Sequence, residues 1–94
     1  MTVVVQIDVT DQPARVVTAD DASLEAIRFT FNPSLIDAVT QLKALAAAFI
    51  TTCHQVALNN PSAVRELAVA KTNMQTASMW GVLGATKDHK VIAS

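Results

Sequence analysis

Residues 65–87, RELAVAKTNMQTASMWGVLGATK, decide the fold. Val64, Leu67, Ala70, Met74, Ala77 and Gly81 recur at steps of three and four, the spacing of a buried helical face. Gly84 continues the row, and Trp80 and Leu83 supply bulk beside it. Arg65, Lys71, Asn73, Gln75 and Thr76 place polar groups around that face. In the run Ala77-Ser78-Met79-Trp80-Gly81, small residues adjoin a large flat ring with one N–H donor. Small residues let a second backbone or a ligand approach, and Trp supplies contact area.

Working back, Asn59-Asn60-Pro61-Ser62 reads as a short turn between two helices. The second helix is expected over about 63–84 and the first over about 35–58. In the first, Leu35, Val39, Leu42, Ala46, Phe49, Cys53 and Val56 trace one stripe. Ile36, Leu45, Ile50 and Ala57 widen it. At 1.5 Å per residue that helix is roughly 35 Å long. A short turn between two long amphipathic helices makes them antiparallel neighbours. Ser34 with Asp37 resembles a capping arrangement, and Pro33 disfavours helix in the residue before it.

Upstream, residues 3–10 alternate, with Val3, Val5, Ile7 and Val9 on one face, which argues a strand. Asp11-Gln12-Pro13-Ala14 reads as a turn and residues 15–18 as a returning strand. Residues 20–23 read as a polar break. Residues 26–31 alternate again and predict a third strand. The fold class expected is α+β: a small N-terminal antiparallel β-sheet over 1–32, then a long antiparallel helical hairpin over 33–87, in a single domain spanning 1–94. Residues 88–94 read as a tail with a possible short strand at Val91-Ile92.

Of 94 residues, 51% are hydrophobic and 16% charged, more apolar surface than so small a monomer easily hides, so self-association is expected. A net charge of −1 gives no basic field for duplex DNA or an anionic membrane. The longest apolar run is far below a membrane span. Cys53 stands alone, which fits a reducing cytosol, and MTVVVQIDVT has neither the basic nor the apolar region of a signal peptide.

Enzyme chemistry finds little footing. Cys53 and His54 are adjacent, so they point roughly 100° apart on a helix and close poorly on one metal ion. Cys53 lies on the apolar stripe and reads as a packed thiol rather than a nucleophile. The acids are spread over turns and helix starts. Two glycines leave no phosphate-binding loop of the usual kinds. Ligand binding is better supplied. Arg28, Lys43, Arg65, Lys71, Lys87, Asn32, Asn73 and Thr86 flank the expected core. An aromatic corner, Phe31-Asn32-Pro33, falls where strand gives way to helix. For any one of these residues, a solvated surface or core role is the simpler reading.

Arg28-Phe29-Thr30-Phe31-Asn32-Pro33, Leu42-Lys43, Arg65-Glu66-Leu67-Ala68, Ala70-Lys71-Thr72, Ala77-Ser78-Met79-Trp80 and Ala85-Thr86-Lys87 together resemble the small phage helical-hairpin proteins that act as anti-defence cyclic-nucleotide sponges. These are the anti-Thoeris and anti-CBASS sponges, and the N-terminal strands resemble the anti-Thoeris branch. The likeness covers residues 28–87. Two departures bear on ligand choice: Phe31-Asn32 stands where the all-helical branch suggests Tyr-His, and Asn73-Met74-Gln75 where a more acidic, leucine-containing segment is common.

The resemblance implies a non-enzymatic protein of the host bacterial cytosol, without a cofactor or a metal. It would hold cyclic ADP-ribose isomers or cyclic di- and trinucleotides in pockets between subunits of a dimer that can assemble into a hexamer. Phe31, Asn32, Lys43 and Arg65 are the leading ligand contacts, with Arg28, Met79, Thr86 and Lys87 beside them. Met79 and Trp80 would also build the helix–helix and dimer core. A hairpin that docks another protein is the competing reading. An enzyme that degrades the signal is a third, for which no constellation is visible.

Overall fold

The computed structural model describes residues 2–32 and 35–88. Strands β1 (Val4–Ile7) and β2 (Arg15–Thr18) form an antiparallel two-stranded sheet. Val5 pairs with Val17 and Gln6 with Val16. The reversal lies at residues 9–12, earlier than the 11–14 expected. The Gln12 N–H donates to the Val9 carbonyl at 3.1 Å, and Asp11 adopts a left-handed φ of 67°. Asp and Asn tolerate that region better than most side chains. Val3 and Ala19 turn inward and are buried, while Ile7 and Val9 overhang the hydrophobic core and stay exposed. The face expected of residues 3–9 is therefore buried only at its start.

Residues 26–31 form no third strand. They instead complete a short helix, α1 (Asp21–Ala26), and its exit. Asp20 caps the helix, its Oδ1 accepting from the Ser23 N–H at 2.7 Å. At the other end the Arg28 N–H donates to the Glu25 carbonyl and the Phe29 N–H to the Leu24 carbonyl, both at 3.0 Å. Arg28 has a φ of 53° between them. This is the left-handed helix stop that glycine usually supplies. The alternation of Ile27, Phe29 and Phe31 with polar residues is a feature of this exit, not of a sheet.

Two long helices follow, α2 (Asp37–Asn59) and α3 (Val64–Thr86), joined through a single 3-10 turn at Pro61–Ala63. They pack as the expected antiparallel hairpin. The first starts two residues later than expected. Ile36 occupies its cap position with no side-chain bond, and the Ser34 cap lies outside the described residues, as do Pro33 and the Val91-Ile92 strand. The core gathers Val3, Ala19, Ile27, Ala46, Ala47 and Ile50, with Leu24, Phe29 and Met74 against it. It lies where α1 and the sheet cover one side of the hairpin. Leu45, Phe49 and Val56 of α2 remain exposed.

On α3 the expected face holds in part: Leu67, Ala70, Met74 and Gly81 are half-buried. Ser78 is its buried residue, while Val64 and Ala77 are exposed. Met79 and Trp80, expected to build the helix–helix and dimer core, are 72% and 68% exposed in the single chain, so they are not buried between α2 and α3. The small side chains of Ala70, Ser78 and Gly81 suit the approach to α2. A Cβ at Gly81 would sit 3.4 Å from Leu42, whereas Gly84 has open space.

Candidate functional site

The exit of α1 is held by side chains from both long helices. A helix C-terminus leaves carbonyls without partners inside the helix. Gln75 of α3 donates through Nε2 to the Ala26 carbonyl at 3.2 Å. Lys43 of α2 donates through Nζ to the Arg28 carbonyl at 2.8 Å and also to the Phe31 carbonyl. Asn32 donates to the Ile36 carbonyl and to Thr40 Oγ1, both at 3.3 Å.

Those bonds present a cation and a ring. The Arg28 guanidinium lies 5.1 Å from the Phe31 ring centroid, and Lys43 Nζ lies 5.7 Å from it. Both distances allow cation–π attraction. Lys43 is 6% exposed, and among the described residues no carboxylate is paired with it. Burial pushes its ammonium below the ordinary lysine pKa, and the neighbouring Arg28 charge adds to the effect. Lys43 thus carries a buried positive charge with no ion-paired acid among the described residues, a charge of the sign that attracts phosphate.

Two depressions meet at Arg28 and Phe31. The smaller, about 210 Å³, is completed by Lys43, Ser78, Met79 and Val82. The larger, about 550 Å³, lies against α1 and is lined by Asp21, Leu24, Glu25, Phe29 and Thr30. Arg28, Phe31, Lys43 and Met79, four residues expected at a ligand site, therefore come together, with Asn32 next to them. Lys43 holds the loop through two carbonyls and is not a free surface lysine.

The remaining candidates line neither depression. Arg65 is exposed beside Ala68, Val69, Thr72 and Asn73, in a groove of about 320 Å³. It lies about 20 Å from Met79 along α3. Thr86 Oγ1 donates back to the Val82 carbonyl at 2.8 Å, and Lys87 is the exposed residue that ends the helix. Glu25 and Asp21 were missed. The signal that could have placed them is the run Asp20-Asp21-Ala22-Ser23-Leu24, a capping Asp followed by an acidic first turn.

A second polar cluster pins the start of α1. The Asp20 N–H donates to Thr51 Oγ1 at 3.0 Å, and Thr51 donates to the buried Ser23 Oγ at 2.9 Å. Asp20 Oδ2 lies 3.0 Å from His54 Nδ1. Burial alone would raise the Asp20 carboxyl pKa, but its bonds with Ser23 and His54 outweigh that and hold it below the ordinary value. Burial raises the Cys53 thiol, which keeps it in its unreactive form.

The family model for the Acb2/Tad1 hairpin domain matches residues 21–86. The chain belongs to this family. The match opens on the first residue of α1 and closes on the last of α3, so it takes in the Arg28–Phe31 corner and leaves the β-hairpin outside. The Acb2/Tad1 family comprises the anti-CBASS and anti-Thoeris sponges, which sequester cyclic nucleotides without turning them over. No curated protein and no solved structure matches the chain. Among the described residues no helix is long and apolar enough to cross a membrane.

Proposed function

We propose that the protein sequesters a cyclic ADP-ribose isomer or a cyclic di- or trinucleotide at the Arg28–Phe31 corner, and so starves an effector of bacterial anti-phage defence in the host cytosol. The observation that carries this reading is the guanidinium held 5.1 Å from an exposed ring, beside a buried lysine that has no ion-paired acid among the described residues. A phosphate takes the charge, and a base takes the ring face. Sequestration needs slow release rather than chemistry, which a corner preorganised by the Lys43, Asn32 and Gln75 hydrogen bonds favours.

The pocket is proposed to lie between subunits. Both depressions are open, and Arg65, about 20 Å from Met79 along α3, reaches the corner only if another copy brings it. The exposed row of Val69, Met79, Trp80 and Leu83 supports a homo-dimer, and the separate exposed row of Leu45, Phe49 and Val56 supports further assembly towards a hexamer. The β-hairpin outside the family match supports the anti-Thoeris branch. The same apolar rows favour the competing reading, a hairpin that docks another protein.

A depletion experiment separates these readings. Purified protein is mixed with cyclic ADP-ribose isomers and cyclic di- and trinucleotides, filtered out, and the free ligand measured. Heating the retained fraction should return the intact ligand. Loss without recovery would mean degradation, and no loss with any ligand would leave the docking hairpin.

A further inference from the structure

We infer that the larger depression against α1 reads the amino edge of a purine, with Asp21 and Glu25 as the acceptors. This rests on the ligand class proposed above and assigns the part of the ligand that the cationic corner cannot recognise. Asp21 and Glu25 are four residues apart on α1 and so share one face of the helix. Both line the 550 Å³ depression that ends on the Arg28 and Phe31 side chains. Its volume falls within the range typical of small-molecule sites. Both carboxylates are exposed, and neither has an ion-pair partner among the described residues.

The chemistry of the two depressions differs. On the Lys43 side the lining offers positive charge and apolar surface, with Ser78 as a small polar group. On the α1 side it offers two acceptor-only carboxylates beside aromatic rings. Carboxylates repel phosphate, so the phosphates belong at Arg28 and Lys43. A base stacked on Phe31 then extends its edge towards α1. An exocyclic amine donates to a carboxylate there. An oxo group at the same position meets only acceptors and is rejected, because the carboxylates lose their water without gaining a donor. Asp21 and Glu25 are specificity residues in this scheme, and Arg28 with Lys43 supplies affinity.

Two ligand pairs test it: cyclic di-GMP against cyclic di-IMP, which differ by the 2-amino group, and cyclic ADP-ribose against cyclic IDP-ribose, in which the 6-amino group becomes oxo. Affinities are measured by calorimetry with the full chain and with Asp21→Ala/Glu25→Ala. In whichever pair is bound, the aminated member should bind roughly tenfold or more tighter, the usual size for a hydrogen bond to a charged group. The double variant should bring that ratio close to one, by weakening the aminated member of either pair while cyclic di-IMP keeps its affinity and cyclic IDP-ribose, its oxo group no longer facing carboxylates, binds tighter. Glu25→Ala alone, which leaves the first turn of α1 intact, should lower the ratio if the double variant does not fold. A ratio near one in the unaltered protein overturns the inference, as does a ratio that survives in the variants. Equal tightening of both members in the variants overturns it too, since the acids would then act only by repelling phosphate. Binding of neither pair, together with failure of the wider depletion panel, would instead remove the nucleotide reading beneath it.

Discussion

The two ends of α1 are fastened to the helical hairpin in opposite ways. At its start, Asp20, Ser23, Thr51 and His54 form a closed set in which a carboxylate faces an imidazole and each hydroxyl has a partner. At its exit, Lys43 fastens two carbonyls but brings a buried positive charge that is ion-paired with no acid among the described residues. A network whose charges are answered internally has little left for a ligand. A network that leaves one sign uncompensated keeps a standing attraction for the other sign. Polar groups from one helix, α2, thus close a paired set at one end and leave an unpaired cation at the other.

The largest effect should come from removing what lies beneath both ends. Ile50 is fully buried in the core under α1. Ile50→Ala should cost about 2–5 kcal/mol in urea unfolding and weaken both fastenings together. Selective damage should then separate them. Thr51→Val keeps the volume but strands the Asp20 N–H and the Ser23 hydroxyl, for about 1–3 kcal/mol of stability. If the two ends are independent, cyclic-nucleotide affinity should stay unchanged by calorimetry.

Arg28→Ala makes the opposite test. It should leave the urea midpoint nearly unmoved and weaken binding of the captured nucleotide roughly tenfold or more. Arg65→Ala, on the open groove of α3, should weaken binding less and also leave the fold intact; unchanged affinity would remove Arg65 from the site. The smallest effect is expected from pH. The folded state holds the Asp20 carboxyl below its unfolded value, so this contribution is complete above the unfolded aspartate pKa of about 3.9 and fades as the pH falls through the folded one. Asp20 and His54 are each more than a third exposed or close to it, so solvent screening keeps the effect under about 1 kcal/mol. Asp20→Asn should flatten the acid limb of the unfolding midpoint against pH, and an unchanged limb would remove this pair from acid stability.

The sequence was most legible where one local rule acted alone. Period-two valines marked β1, and the Asn60-Pro61 turn between long amphipathic stretches marked the hairpin. It misled where two rules competed. Residues 26–31 alternate like a strand, yet Arg28 takes the left-handed position that usually signals its presence with glycine. With Arg in that place, nothing in the residue type announces the helix stop. The corner was legible as a set of candidates: Arg28, Phe31, Asn32 and Lys43 were all marked as ligand contacts, and the fold brings them together. The roles within it were not, because a lysine at a helical position looks the same whether it meets solvent or two buried carbonyls.

By itself the sequence determined the antiparallel pair of long helices and the small sheet before it, because hydrophobic period and turn chemistry are local properties of the chain. Only tertiary structure decided that Lys43 is buried under the Arg28–Phe31 loop, that Asp20 reaches His54 across 34 positions, and that Met79 and Trp80 face outward. Those outcomes depend on which side of α2 receives α1 and which receives α3. That choice is made by packing between distant segments, and no window of sequence contains both partners.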